Sequence, residues 1–252
     1  MGTKINEALK SWRPGLVLTA SYLKRNGLNY ALQLQYQKSG WLKSIGNGAV
    51  KRAGDAVSWP GALHALQQQL KLPVHLGGKS ALTQQGYAHY ARVTEGKMYL
   101  FTVKNKRLPK WFLDYKWEQQ PRITRTAFLP YDLNDSFITT HIDGFPLRLS
   151  STERAVLELL YFVPKLQGFD EAMKIMASLT SLRPVLMQQL LAACTSVKVK
   201  RLFMYMAEKQ NHFWFEHLDP RRIGLGSGKR SIIKNGVFDK KYRITVPREY
   251  ET

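Results

Sequence analysis

The amino-acid sequence predicts an α+β protein in two parts, residues 1–95 and residues 96–252. Three observations predict it. Short helical periods occupy the chain up to Lys38, a hairpin pattern follows at once, and beyond Glu95 a run of strands gives way to a run of helices. A length of 252 residues allows one or two domains, and 44% hydrophobic with 12% aromatic residues is ample material for packed cores.

Taken in order, Thr3 to Trp12 has a helical pattern, with Ile5, Leu9 and Trp12 on one face, Thr3 as a cap and Arg13-Pro14-Gly15 as the stop. Leu16 to Gly27 holds a second short helix, capped by Thr19 and ended by Gly27. Asn29 caps a third, which runs to Lys38 and breaks at Ser39-Gly40. Trp41 to Ile45 and Ala49 to Arg52 read as strands, joined by Gly46-Asn47-Gly48, whose residues tolerate the positive φ of a hairpin turn. Three helices followed by a basic hairpin make a winged helix-turn-helix. Trp59 to Leu70 then reads as a helix, Pro73 to Leu76 as a strand and Ser80 to Gln85 as a short helix.

Beyond Glu95, Met98 to Val103, Arg122 to Phe128, Ser136 to Ile142 and Pro146 to Leu149 read as strands of a mostly antiparallel sheet. Helices follow at Ser151 to Phe162, Asp170 to Ser178, Arg183 to Cys194 and Ser196 to Lys209, and short strands at Arg230 to Lys234 and Tyr242 to Val246 close the chain. This larger part is a mixed α+β domain.

The charge narrows the function. Against 18 acids stand 38 Lys plus Arg, a net +20 that favours a polyanionic partner, with nucleic acid ahead of an anionic membrane. Through Arg52 there is one acid, Glu7, among nine basic groups. The lone Cys194 excludes an internal disulfide and any multi-thiolate zinc site, and it lies in an apolar helical run as a core residue. The N-terminus lacks a signal-peptide pattern and no stretch is apolar for the roughly 20 residues that a bilayer span needs, so a cytoplasmic protein is expected.

On the Asn29–Lys38 helix, 100° per residue places Tyr30, Gln33, Leu34, Gln37 and Lys38 on one face, and Ala31, Leu32, Gln35 and Tyr36 on the other. The first face suits a major groove: glutamine pairs bidentately with adenine, while Tyr and Lys reach phosphate. With Asn29 at the helix start and Lys43, Asn47, Lys51 and Arg52 on the hairpin, these residues form the candidate DNA-reading set. A second basic surface is expected from Lys198, Lys200 and Arg201 on a helix and from Arg221, Arg222, Lys229 and Arg230 in a glycine-rich loop.

Enzyme motifs fare poorly. Gly224 to Arg230 approaches a phosphate loop but has Ile223 where the pattern needs Gly and Arg230 where it needs Ser or Thr. Gly77-Gly78 lacks the paired aspartates with which a nucleotidyltransferase holds magnesium. The six histidines form no HExxH pair, and His64, His75 and His89 read as hydrogen-bonded structural residues. No cofactor or metal site is expected. Asp219 with Asp239-Lys240-Lys241 leaves a metal-dependent DNA nuclease as the alternative.

Several stretches together resemble the AbiEi antitoxin family: Ser39 to Leu42, Gly48 to Gly54, Trp59 to Gln67, His75 to Leu82, Gln85 to Tyr90, Glu153 to Leu160, Val197 to Leu202, Leu225 to Arg230 and Tyr242 to Pro247. The resemblance implies an N-terminal winged helix that represses its own operon at inverted repeats. It also implies a C-terminal domain that counters a nucleotidyltransferase toxin encoded beside it, without a stable complex between the two. A winged-helix regulator with no toxin partner is the remaining reading.

Overall fold

The computed structural model describes residues 12–87 and 96–250. The helix expected at Thr3 to Trp12 lies outside them except for Trp12, and so does His89. In the first unit, strand β1 (Leu18–Thr19) leads into α1 (Ala20–Arg25) and α2 (Tyr30–Lys38), followed by β2 (Leu42–Gly46) and β3 (Ala49–Arg52). The three strands pair antiparallel in the order β1-β3-β2. Both caps form as expected: Thr19 Oγ1 accepts from Tyr22 N at 3.3 Å and Asn29 Oδ1 from Leu32 N at 2.9 Å. Trp12, Leu18, Leu23, Leu28, Leu42 and Val50 close a small core of their own.

Next come α3 (Trp59–His64), which continues as a π-helical turn over Ala65–Gln69, then β4 (Val74–Leu76) and α4 (Gly78–Gln84). Gln69 ties the units together, since its Oε1 accepts from Thr19 N at 2.9 Å and its Nε2 donates to Val17 O at 2.8 Å. Beyond residue 95 lie β5 (Lys97–Thr102), α5 (Lys110–Asp114), β6 (Gln120–Arg125), β7 (Phe137–Ile142) and β8 (Phe145–Ser150). They complete a five-stranded sheet in the order β6-β5-β4-β8-β7. This sheet is mixed, not mostly antiparallel: β5/β6 and β4/β8 run parallel, while β4/β5 and β7/β8 run antiparallel. The sequence expectation failed on two counts: β6 runs parallel to β5, although both were expected strands, and β4 was left out of the sheet. Inserted at the centre, β4 takes partners from far along the chain on both sides, and the sheet crosses the boundary drawn at residue 95.

Helices α6 (Thr152–Phe162), α7 (Phe169–Ser178), α8 (Pro184–Ala193) and α9 (Val197–Gln210) pack behind it. Glu153 to Leu160 of α6 are all buried, which makes α6 the central pillar. A small sheet of β9 (Arg230–Ser231), β10 (Val237–Asp239) and β11 (Ile244–Val246) follows, in the order β10-β11-β9. Cys194 is buried in the main core, as its apolar run implied. Among the described residues, no helix is long and apolar enough to cross a membrane.

Candidate nucleic-acid interface

The turn between α1 and α2 is held by Gln33. This side chain is 3% exposed, and its Nε2 donates to Ala20 O at 3.1 Å and Leu28 O at 2.7 Å, joining the two helices across the turn. The structure therefore corrects the expected reading face. Gln33 points inward, and Gln37 is half-buried with its Nε2 near Gln33 O at 3.4 Å. The outward face consists of Tyr30, Ala31, Leu34, Gln35 and Lys38, a rotation of roughly 60° at 100° per residue. The helix is rich in glutamine and weakly amphipathic, so its periodicity did not reveal that one amide would be spent on backbone carbonyls.

Tyr30 is 75% exposed, Leu34 43% and Trp41 50%, an apolar and aromatic grouping around a helix otherwise lined with polar side chains. On such a face a Leu can meet a thymine methyl and a Tyr a sugar or phosphate. Gln35 takes the outward position from which an amide can pair with adenine. Asn29 is exposed, although its side chain is engaged as the helix cap.

On the wing, Lys43 and Asn47 are exposed. Lys51 and Arg52 are half-buried and turned to Asp55: Lys51 Nζ donates to Asp55 O, and Arg52 Nε and Nη2 donate to Asp55 Oδ1 at 3.1 and 3.0 Å. Lys43 and Lys51 stand directly opposite in the β2/β3 register, a like-charge pair that an anionic partner would relieve.

The second basic surface divides. Lys198 Nζ donates to Tyr161 O and Val163 O at 2.7 and 2.6 Å, and Lys200 Nζ to Ile223 O at 2.8 Å. Arg201 is 1% exposed and clamps the glycine-rich loop, donating to the carbonyls of Leu225, Gly226, Gly228 and Arg243. Lys198 ties α9 to the end of α6, while Lys200 and Arg201 hold the loop against α9; all three present no anion-binding face, because their donors are spent on carbonyls that would otherwise be buried unpaired. Arg221, Arg222, Lys229 and Arg230 are exposed, with Arg221 paired to Asp219 at 3.0 Å and Lys229 5.0 Å from the Phe238 ring centre.

The nuclease acids are also engaged locally. Asp219 accepts from Arg221, and Asp239 Oδ1 accepts from Tyr242 N at 2.6 Å. Among the described residues, no group of three or more His, Cys, Asp or Glu side chains is placed to hold a metal ion.

Sequence reading missed a buried joint behind the sheet. Glu158 Oε1 accepts from His75 Nε2 at 2.8 Å and from Arg154 Nε at 2.9 Å, while Oε2 accepts from Gly78 N at 2.9 Å and Ser150 Oγ at 2.7 Å. A Cβ on Gly77 would stand 2.2 Å from Oε2, so the Gly-Gly pair is there for close approach and not for a ligand. Burial holds the His75 pKa below its ordinary 6.5 against the opposing pull of Glu158. Burial also raises the Glu158 carboxyl, but the hydrogen bonds from His75 and Ser150 and the Arg154 charge outweigh it and hold the group below 4.5. His64, half-buried with Nδ1 3.2 Å from Pro146 O, is structural in the same way.

A helix pair with an outward second helix, backed by a three-stranded wing and seated on an α+β body, places the protein among winged-helix regulators. Residues 1–93 match the N-terminal domain of the AbiEi antitoxin transcriptional regulators, and residues 95–247 match the transcriptional regulator AbiEi antitoxin of type IV toxin–antitoxin systems. The chain belongs to this AbiEi family. None of the curated proteins matches it. A crystal structure of the RV2827C protein from Mycobacterium tuberculosis covers 96% of this chain and 89% of its own at 14% identity, with a TM-score of 0.59, a likeness of fold alone.

Proposed function

We propose that the chain represses its own operon by binding inverted-repeat DNA through the outward face of α2 and the wing, and that its second domain supports antitoxicity against a nucleotidyltransferase toxin encoded beside it. The toxin is countered without a stable complex. The observation that carries the DNA reading is the outward face itself: Tyr30, Leu34, Gln35 and Lys38 are exposed beside Lys43 and Asn47, on a unit whose only described acid, Asp55, is already neutralised by Arg52. Gln35 would read bases, and Lys38 and Lys43 would hold phosphates. In keeping with a binding protein, Asp219 and Asp239 are taken up by neighbouring donors and no DNA cleavage is expected.

The experiment measures operator occupancy beside cell survival with toxin driven from an independent promoter. Tyr30→Ala, Gln35→Ala and Lys38→Ala combined should abolish occupancy while leaving rescue intact, because all three side chains are exposed and surface changes typically cost under about 0.5 kcal/mol each. Reversing charge at Arg222, Lys229 and Arg230 should impair rescue more than occupancy. Lys200 and Arg201 are unsuitable for this arm, since changing them would unfold the loop they hold. A folded triple variant of α2 that cannot rescue would place antitoxicity in DNA binding and overturn the division.

A further inference from the structure

We infer that the cavity bounded by β4, β5, α6 and the 126–131 segment binds a small neutral ring molecule carrying an O–H or N–H donor, and that Nδ1 of His75 is the acceptor for that donor. The site begins with strand register. His75 stands directly opposite Phe101 in the β4/β5 pair, so both rings lie on one face of the sheet and stack with centroids 5.9 Å apart. The Tyr131 ring closes on the same imidazole at 5.8 Å. Together with Thr102, Thr126 and Arg154, these rings line a cavity of about 180 Å³. A cavity of about 150 Å³ is large enough for benzene, so this one has room for a single ring with a small substituent.

The polarity of the walls selects the guest. Glu158 is held ionised by the donors around it and can only accept, which places the imidazole proton on Nε2, 2.8 Å away, and leaves Nδ1 with a bare lone pair. Burial keeps the ring from taking a second proton. His75 is 1% exposed and, among the described residues, no group donates to Nδ1. A buried acceptor left unpaired is destabilising, and a guest O–H or N–H removes that penalty. An anion would bring a second lone pair to Nδ1, and a cation would meet the charges of Arg154 and Arg148, which both bear on this imidazole. The chemistry that fits is a neutral donor.

The walls are held without a guest. Arg154 Nη1 donates to Pro130 O at 2.7 Å, and Thr126 N donates to Thr102 O at 3.0 Å, which fixes the 126–131 segment against α6 and β5. A preformed site loses little conformational entropy on binding. None of these residues belongs to α2 or the wing, so the site takes a ligand other than the DNA proposed above and stands or falls without it.

The test uses phenol, which has the ring and the donor, and toluene, which has nearly the same size and no donor. Both are titrated into the full chain and followed by heteronuclear NMR of the histidine ring nitrogens. Phenol should bind saturably and shift the Nδ1 resonance of His75, and toluene should bind about tenfold more weakly for want of one hydrogen bond to a buried acceptor. Ala127 lies exposed at the rim of the cavity, so Ala127→Trp should obstruct the mouth without touching His75 or Glu158 and weaken phenol by tenfold or more, with thermal melting as the check on folding. Equal affinity for the two probes, an unmoved His75 resonance at saturating phenol, or undiminished phenol binding in folded Ala127→Trp would each overturn the proposal. So would a crystal structure grown with phenol in which Nδ1 bonds to an ordered water alone.

Discussion

Replacing Gln33 by Ala separates a structural amide from a reading one. The side chain is buried, and its Nε2 donates to the carbonyls of Ala20 and Leu28 at the two ends of the helix-turn-helix joint. The substitution removes two hydrogen bonds worth about 1 kcal/mol each and leaves two partly buried carbonyls short of a donor, for a total of roughly 2 to 3 kcal/mol. At about 2 to 4 °C per kcal/mol for a chain of this size, the melting temperature should fall by roughly 4 to 12 °C. Gln33→Met, which keeps most of the volume, should lose the hydrogen-bond share and little else. Gln35→Ala, two residues on and exposed, should leave stability within about 0.5 kcal/mol and relax the preference for operator over random DNA. Calorimetry or urea titration reads the first effect, and competition binding with the two duplexes reads the second. If Gln33→Ala were as stable as the wild type yet lost sequence preference, the inward placement of this residue and the reading face built from it would both be refuted.

Two further outcomes follow from the second domain. His75 is held neutral by burial below its ordinary 6.5, so an unfolded chain takes up more protons than the folded one as the pH drops through 6.5; stability should decline from pH 7 toward pH 5, with Glu158 adding to the loss below 4.5. The urea midpoint measured across that range checks this: His75→Gln should flatten the pH 5–7 portion, and a wild-type midpoint that does not change there would contradict the assignment. Arg201→Met removes a buried guanidinium that donates to three loop carbonyls and to Arg243 O, so a cost on the order of 3 kcal/mol or more is expected. Hydrogen exchange should quicken across residues 224–230, and unchanged protection there would show that the clamp does not hold the loop.

Much of the local structure was legible in the sequence because local chemistry determines it. Thr19, Asn29, Ser151 and Ser196 announced helix starts by their capping oxygens, and Gly46-Asn47-Gly48 announced the wing turn. The excess of basic residues and the family motifs were equally independent of folding. What only the tertiary structure decided depends on partners distant in the chain. β1 is two residues long and became a wing strand only by pairing with β3; β4 entered the centre of the sheet parallel to β8, and β6 joined its edge parallel to β5. The same holds for the polar side chains. A Gln, Lys or Arg has the same character in the sequence whether it faces solvent or a buried carbonyl, since the chain carries no local mark of which backbone groups folding will leave unpaired. Gln33 and Arg201 were drawn inward to satisfy such groups, while Gln35 and the lysines around Trp111 were left at the surface.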